Sequence, residues 1–163
     1  MNTLKKHTFS VTLILVSYLL FFSTHPGIAQ TSTKQKEKGK ILFVITSHGQ
    51  LGNTGKETGY YLSEVTHPWH VLHKAGYEID FVSPQGGEPP VDDFDMTDSV
   101  NKKFWNNDYY RNKIQNSMKP SEVNPEAYTA IHYAGGHGTM WDFAENKKLA
   151  AIAARIYEDK GVV

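Results

Sequence analysis

Residues 41–45 are Ile41-Leu42-Phe43-Val44-Ile45, an unbroken apolar run that ends at the polar segment Ser47-His48-Gly49. Its length and its β-branched content predict a strand that is buried on both faces of a sheet. Two further runs have strand character: residues 78–82 alternate in polarity before Ser83-Pro84, and residues 130–134 end at a pair of glycines. The sequence therefore predicts three strands of one sheet.

Helical periodicity accompanies these strands. Residues 60–74, between the first two strands, and residues 146–160, after the third, carry apolar side chains three or four positions apart, and each segment is followed by a glycine. This order of elements is typical of an α/β fold with a parallel sheet flanked by helices. Val162 and Val163 stand where the next strand would open, so we expect the sheet to be incomplete at the C-terminus.

The segment between the second and third strands has a different character. Residues 84–127 are rich in Asp, Asn, Lys and Pro, with scattered aromatic side chains. We expect one or two short helices within residues 100–117 and a cover over one end of the sheet in the remainder of the segment.

The N-terminus has the features of a signal peptide. Lys5 and Lys6 precede an apolar run over residues 9–22, and Gly27 and Ala29 are small residues at the positions that a signal peptidase recognises. A transmembrane anchor is the alternative interpretation, but it needs about 20 apolar residues and this run is shorter. We therefore predict export to the periplasm or the medium, with no membrane association after cleavage.

These features divide the chain into three parts. We predict a signal peptide at residues 1–29, a polar linker at 30–39, and a domain at 40–163.

The composition excludes several classes of function. Basic and acidic residues number 17 each, so the net charge is zero and the basic stripe of a nucleic-acid binder is not expected. The 163 residues contain no cysteine, which excludes disulfides, thiolate metal sites and a cysteine nucleophile among them.

No cofactor or metal ion is predicted. The glycines of residues 49–55 do not have the spacing of a phosphate loop or a dinucleotide fingerprint. His67, His70 and His73 recur at steps of three on one helix, but a zinc site needs further ligands and the sequence shows no second cluster.

Glu64 is the first candidate site residue. On a helix it shares one stripe with Tyr61, Pro68 and Val71, which favours a carboxylate turned inward. Pro68 has no N–H, so it cannot donate the helical hydrogen bond that the Glu64 carbonyl would accept. The alternative is a glutamate at the edge of the stripe that reaches solvent.

The glycines that follow the third strand are the second candidate. Residues 135–139 are Gly135-Gly136-His137-Gly138-Thr139, and backbone N–H groups in such a loop can converge on an anion because no Cβ blocks its approach. An oxyanion hole can be built in this way. The alternative is a plain turn from strand to helix.

Together these segments resemble the ThiJ/PfpI superfamily, which has the class I glutamine-amidotransferase-like fold. The resemblance rests on residues 41–46, 58–68, 75–84 and 134–143, and on the final Gly161-Val162-Val163. Its details resemble the glyoxalase-III-like branch, which includes stress-related heat-shock chaperones and deglycase-like enzymes. The resemblance covers nearly all of residues 40–163 and only the N-terminal part of the family's domain.

The resemblance implies a flavodoxin-like sheet and a cysteine that attacks a small reactive carbonyl such as methylglyoxal. Glu64 would hydrogen-bond that cysteine, and Gly135 and Gly136 would supply oxyanion donors. The cysteine has no counterpart here, so we expect the chain to be inactive alone, either as a fragment or truncated reading frame or as a catalytically dead product.

Other readings of the resemblance stay open. One alternative function is a stress-related chaperone or binding module, and another is a relative of the amidotransferases or peptidases. A homodimer is left open as an assembly.

Overall fold

The computed structural model describes residues 38–163. Its elements in chain order are β1 (Lys40–Val44), β2 (Tyr60–Tyr61), α1 (Leu62–Lys74), β3 (Glu78–Val82), β4 (Val91–Asp92), α2 (Ser99–Trp105), α3 (Asp108–Gln115), 3-10 turns at Pro120–Glu122 and Pro125–Ala127, β5 (Tyr128–Tyr133), α4 (Thr139–Asp142) and α5 (Lys147–Glu158). The predicted signal peptide of residues 1–29 and nearly all of the predicted linker of 30–39 lie outside the described residues. No helix within residues 38–163 is both long enough and apolar enough to cross a membrane.

A parallel sheet in the order β3-β1-β5 forms the centre of the described chain. Its strands overlap the three predicted apolar runs: β3 has the predicted bounds, β1 begins one residue earlier and β5 two residues earlier than predicted. Strand β1 lies in the middle because its side chains are buried on both faces of the sheet, as its unbroken apolar sequence requires. The predicted α/β class is confirmed.

The period of two along β1 divides the core into two layers. Ile41, Phe43 and Ile45 face a cluster that includes buried side chains of α1, α2 and α3. Leu42 and Val44 face the opposite cluster, which includes the apolar stripe of α5. Burial of each large side chain contributes about 1.5–3 kcal/mol relative to exposure, so the two layers hold helices on both sides of the sheet.

Helix α1 begins two residues later than the sequence predicts. Tyr60 and Tyr61 are extended and pair in parallel with Val91 and Asp92 of β4. The Tyr61 N–H also donates to the Gly135 carbonyl at 3.0 Å. Local periodicity could not reveal these partners, because both lie outside the helical stretch of sequence.

Helix α5 ends in a different way from the predicted glycine cap. Lys160 takes the left-handed conformation, with φ of 68°. Gly161 is needed for close approach instead, because an added Cβ would stand 2.6 Å from Ile156 Cγ2. Val162 then pairs in parallel with Ala130 of β5, as a residue that opens a strand would do.

The segment of residues 84–127 contains two short helices, as predicted. The Asp98 carboxylate accepts hydrogen bonds from the first N–H groups of α2, and the Asn107 side chain caps α3 in the same way. Helix α3 places Lys113 beside the first residues of β3.

The amino ends of the strands are joined by an ionic network, which we call the amino-end network: Lys113, Glu78, Asp80, Lys40 and Tyr128. The Lys113 ammonium bonds the Glu78 carboxylate and lies 2.5 Å from Asp80 Oδ1. The other Asp80 oxygen accepts from Lys40 at 3.2 Å and from the Tyr128 hydroxyl at 3.0 Å. Every charged member therefore has a partner of opposite charge.

Candidate active site

The candidate site lies where β1 and β5 end and α1 begins. After β5 the Ala134 N–H still donates to the Val44 carbonyl at 3.0 Å, so the chain leaves the sheet only at the glycines. Open α/β sheets bind ligands at the carboxyl ends of their strands. The predicted location of the site is therefore the edge where this fold usually places one.

The structure brings Glu64 and Gly135 into direct contact. The Gly135 N–H donates to Glu64 Oε2 at 2.7 Å, across 71 positions of sequence. An added Cβ at Gly135 would stand 2.5 Å from that oxygen, so the glycine permits the approach. The prediction that these two residues share a site is consistent with this geometry.

The predicted environment of Glu64 needs correction. Its side chain is exposed, not turned into the core. Leu62 and Val65, on either side, take the buried positions of α1. Because the carboxylate lies at the rim of the stripe, it reaches both solvent and the Gly135 amide. The alternative that the sequence left open describes its exposure better.

Gly136 has a structural reason to be glycine. Its φ is +123°, which L side chains rarely adopt, and an added Cβ would stand 2.7 Å from Tyr60 Cα and clash with the Gly59 carbonyl. The Gly136 carbonyl accepts from the Thr139 N–H and hydroxyl. Its own N–H has no hydrogen-bond partner among residues 38–163.

The two glycines therefore differ as oxyanion donors. The Gly135 N–H is already bonded to a carboxylate, whereas the Gly136 N–H is not bonded within the described chain. An oxyanion at the Gly135 amide requires the Glu64 carboxylate to move aside. The sequence pattern does not distinguish the two amides, so it could not reveal that only one of them is already bonded.

A set of polar side chains beside the glycines was not predicted from the sequence. The Tyr61 hydroxyl and His137 Nδ1 are 3.0 Å apart, and Asp92 Oδ2 lies 3.9 Å from the same nitrogen. The Thr58 hydroxyl donates to Asp92 Oδ2 at 2.9 Å, which orients that carboxylate. Together they place a phenol, an imidazole and a carboxylate in one chain of contacts.

One signal could have found part of this set. His137 lies inside the glycine loop and Tyr61 precedes the Glu64 helix, so both are close in sequence to predicted site residues. Asp92 gives no such signal, because it belongs to the segment interpreted as a cover. Only the pairing of β2 with β4 sets it opposite Tyr61.

The loop after β1 is held against the glycine loop. Asp142 Oδ1 accepts from the Thr46 hydroxyl at 2.8 Å, and its Oδ2 accepts from the Ser47 N–H at 2.7 Å. An added Cβ at Gly138 would stand 2.5 Å from the His48 carbonyl. These contacts fix the two loops relative to each other.

A shallow cleft of about 440 Å³ lies next to this junction and is lined in part by Pro84, Trp141 and Lys147. Trp141 stacks on the His48 ring with centroids 4.7 Å apart and remains 44% exposed. The cleft therefore offers an aromatic surface beside the carboxyl ends of the strands.

Two of the three histidines of α1 have separate hydrogen-bond partners. His67 Nε2 lies 3.1 Å from Asp98, and His73 bonds the Tyr110 hydroxyl at 3.1 Å and stacks on Trp69. Among residues 38–163, no three His, Asp or Glu side chains are arranged to hold a metal ion.

Comparison with known proteins agrees with this architecture. A model of the family described as ThiJ/PfpI family-like matches residues 56–152. Glyoxalase 3 of Candida albicans is 32% identical over 136 residues, covering 76% of this chain and 55% of that protein. A glutathione-independent glyoxalase of Saccharomyces cerevisiae is 35% identical over 131 residues, with the same coverage.

Solved structures give the same result. The Rapid Encystment Protein of 24 kDa from Francisella tularensis is 40% identical with a TM-score of 0.71, covering 76% of this chain and 56% of that one. Glyoxalase III from Candida albicans is 30% identical with a TM-score of 0.67, covering 76% and 55%.

The fold and the site define an α/β protein with a carboxylate and a glycine loop at the carboxyl edge of a parallel sheet. The chain belongs to the ThiJ/PfpI-like family. It spans about half the length of the curated relatives that it matches.

Proposed function

We propose that this chain carries the acid and glycine-amide part of a cysteine-dependent site for small α-oxoaldehydes such as methylglyoxal. The relatives named as glyoxalase 3 and as glutathione-independent glyoxalases support the substrate class. The observation that carries the proposal is the 2.7 Å contact between Glu64 Oε2 and the Gly135 N–H at the carboxyl edge of the sheet.

The chemistry needs the kind of groups found there. Conversion of methylglyoxal and water to lactate moves a hydrogen from the aldehyde carbon to the ketone carbon. A carboxylate can accept and return that proton, and backbone N–H groups can stabilise the oxyanion that develops. In this proposal Glu64 transfers the proton, and Gly136, with Gly135 once it is released, donates to the oxyanion.

The remaining requirement is a thiolate that adds to the aldehyde; the hydrogen shift then gives a thioester, and water hydrolyses it to release lactate and the thiolate. The 163 residues contain no cysteine. We therefore expect the purified chain to form no D-lactate from methylglyoxal without glutathione beyond the rate in buffer. Turnover well above that rate would contradict the requirement for a thiolate. If that turnover were then lost in the Glu64→Gln variant, Glu64 would still be the proton-transfer group.

Binding can be tested separately from turnover. Hydroxyacetone is a neutral, unreactive analogue of the substrate class, and its carbonyl can accept from a free amide. In ¹⁵N-resolved spectra we expect it to move the Gly136 and His137 amide resonances at millimolar concentration, with little change at Gly87, which lies outside the site. Equal small shifts over the whole chain would argue against a binding site at this loop.

Export is a further proposal, and it rests on the sequence of residues 1–29 alone. Protein recovered from outside the cytoplasm should have an N-terminus near Gln30, because the small residues at 27 and 29 precede that position. N-terminal sequencing of the exported and cell-bound fractions tests this, and an uncleaved chain found only inside the cell would refute it.

A further inference from the structure

Helix α1 contains a carbonyl that has lost its normal partner. In an α-helix the N–H four residues later donates to each carbonyl, and the residue four after Glu64 is Pro68, which has no N–H. The contact at this carbonyl is partly open to solvent, so its hydrogen bond must come from a donor outside the helix, either a side chain or water.

His132 supplies that donor. Its Nε2 lies 3.2 Å from the Glu64 carbonyl oxygen. Because a carbonyl oxygen can only accept, Nε2 must carry the hydrogen, which selects that tautomer when the ring is neutral. The ring is held in place by Phe43 of the neighbouring strand, with centroids 4.6 Å apart.

The same segment of chain also holds the Glu64 side chain. His132 belongs to β5, and Gly135 follows it by three residues at the end of that strand. His132 binds the Glu64 backbone and Gly135 binds the Glu64 carboxylate. Glu64 is thus held at two points, its carbonyl by β5 and its carboxylate by the loop that follows β5.

We propose that His132 is a positioning residue for Glu64, donating to the carbonyl that Pro68 leaves without a partner and so setting the carboxylate against the Gly135 amide. Its role in catalysis rests on the proposed function, since positioning matters there only if Glu64 transfers a proton. A displacement of about 1 Å in such a group can cost a hundredfold in rate, so a second attachment point has a physical purpose.

The competing explanation is that water serves the Glu64 carbonyl equally well. In that case removal of the imidazole would have no effect at Gly135. Substitutions of His132 separate the two explanations because glutamine and asparagine mimic different ring nitrogens. The Gln amide nitrogen occupies roughly the place of Nε2, and the Asn amide nitrogen that of Nδ1.

The experiment records the Gly135 amide proton resonance in the 163-residue chain as the pH is lowered. The Glu64→Gln variant has no carboxylate at this position. The portion of the pH-dependent change at Gly135 that disappears in this variant therefore reports the bond to the Glu64 carboxylate. We expect His132→Asn to diminish that part strongly and His132→Gln to retain most of it. An unchanged Gly135 response in His132→Asn would overturn the proposal.

A double-mutant cycle with Pro68→Ala gives a second readout. The alanine restores a backbone N–H that can donate to the Glu64 carbonyl, so His132 becomes dispensable. We expect His132→Asn to raise the unfolding equilibrium constant roughly tenfold with Pro68 present and much less in the Pro68→Ala background. Equal effects in both backgrounds would show that His132 acts through packing on Phe43 alone.

These measurements do not depend on turnover or on any ligand. Suppose that His132→Asn has a smaller effect in the Pro68→Ala background but hydroxyacetone does not bind. This result would support the positioning contact and refute the proposed function. The opposite result, binding at the glycine loop with an additive cycle, would refute the role of His132 and leave the proposed function standing.

Discussion

The two ends of the parallel sheet use charge in opposite ways. At the amino end, the amino-end network pairs Lys113 with Glu78 and Asp80, whose side chains are only 21% and 12% exposed. At the carboxyl end, Glu64 is exposed and its carboxylate is held by one backbone amide.

This difference indicates which end serves stability and which is available for chemistry. A partly buried charge with several partners is costly to disturb, because loss of one partner leaves the others desolvated and unpaired. An exposed carboxylate with one neutral partner can exchange that partner for a ligand at low cost. The carboxyl end is therefore the better candidate for function, in agreement with the usual location of sites in this fold.

The largest expected loss of stability comes from a substitution in the backbone of the glycine loop at the carboxyl end. Gly136→Ala should lower the free energy of unfolding by about 3 kcal/mol or more, because it combines a positive φ with overpacking against Gly59 and Tyr60. Urea unfolding followed by circular dichroism measures the change.

Gly55→Ala is the matched control for this substitution. Gly55 also has a positive φ, +75°, but no atom lies within 4 Å of an added Cβ. Gly55→Ala should therefore lower the free energy of unfolding only by the cost of holding alanine in the left-handed conformation, about 1–2 kcal/mol. Equal losses in the two variants would mean that the contact at Gly136 relaxes and that this loop is not sterically fixed.

The next largest loss of stability comes from a substitution in the amino-end network. Lys113→Met should destabilise the chain by about 2 kcal/mol at neutral pH, because it leaves two partly buried carboxylates without their main cation. Arg155→Met serves as the control, since the ion pairs of Arg155 with Glu126 and Asp159 are exposed and should contribute little. A Lys113→Met variant as stable as Arg155→Met would show that the amino-end network does not stabilise the fold.

The smallest expected effect is a pH dependence of stability that arises from the pKa values in the amino-end network. Burial opposes ionisation of Asp80 and is the largest single influence on it, but the hydrogen bond and charge of Lys113, with bonds from Tyr128 and Lys40, outweigh burial and hold its pKa below the usual range. The pKa of Glu78 is lowered against burial in the same way, by Lys113 and two tyrosine hydroxyls.

The sign of the resulting pH dependence follows from the lowered pKa values. Ionised Asp80 and Glu78 contribute stability that is fully present above their unfolded pKa values, about 4, and is lost as the pH falls through the folded values. We expect the stability difference between the wild type and Lys113→Met to shrink on acidification below about pH 4. A difference that stays constant down to about pH 2, below the usual range of both carboxyls, would contradict this assignment.

Much of the fold was predictable because its signals are local. The unbroken apolar run of β1 and the helical period of α5 are properties of short segments, and both elements form close to their predicted bounds. The start of α1 was predicted two residues too early, because Tyr60 and Tyr61 prefer strand partners that helical periodicity does not register.

The candidate site was predicted in part. Glu64 and the glycine loop were recognised from their residue types and from the family resemblance, and the structure brings Glu64 and Gly135 together. Their roles as catalytic groups stay a prediction. The contact of Tyr61 with His137 and the approach of Asp92 were missed, because each depends on chain segments that meet only in the folded sheet.

The sequence by itself determined the order of the three sheet strands and of the two long helices, the buried central strand and the family, since hydrophobic period and motif spacing are local properties of the chain. Tertiary structure alone decided that Glu64 is exposed, that its carboxylate already occupies the Gly135 amide, and that His132 serves the carbonyl opposite Pro68. The reason is distance along the chain: these partners lie 68 and 71 residues apart, and they come within hydrogen-bonding reach only in the folded chain.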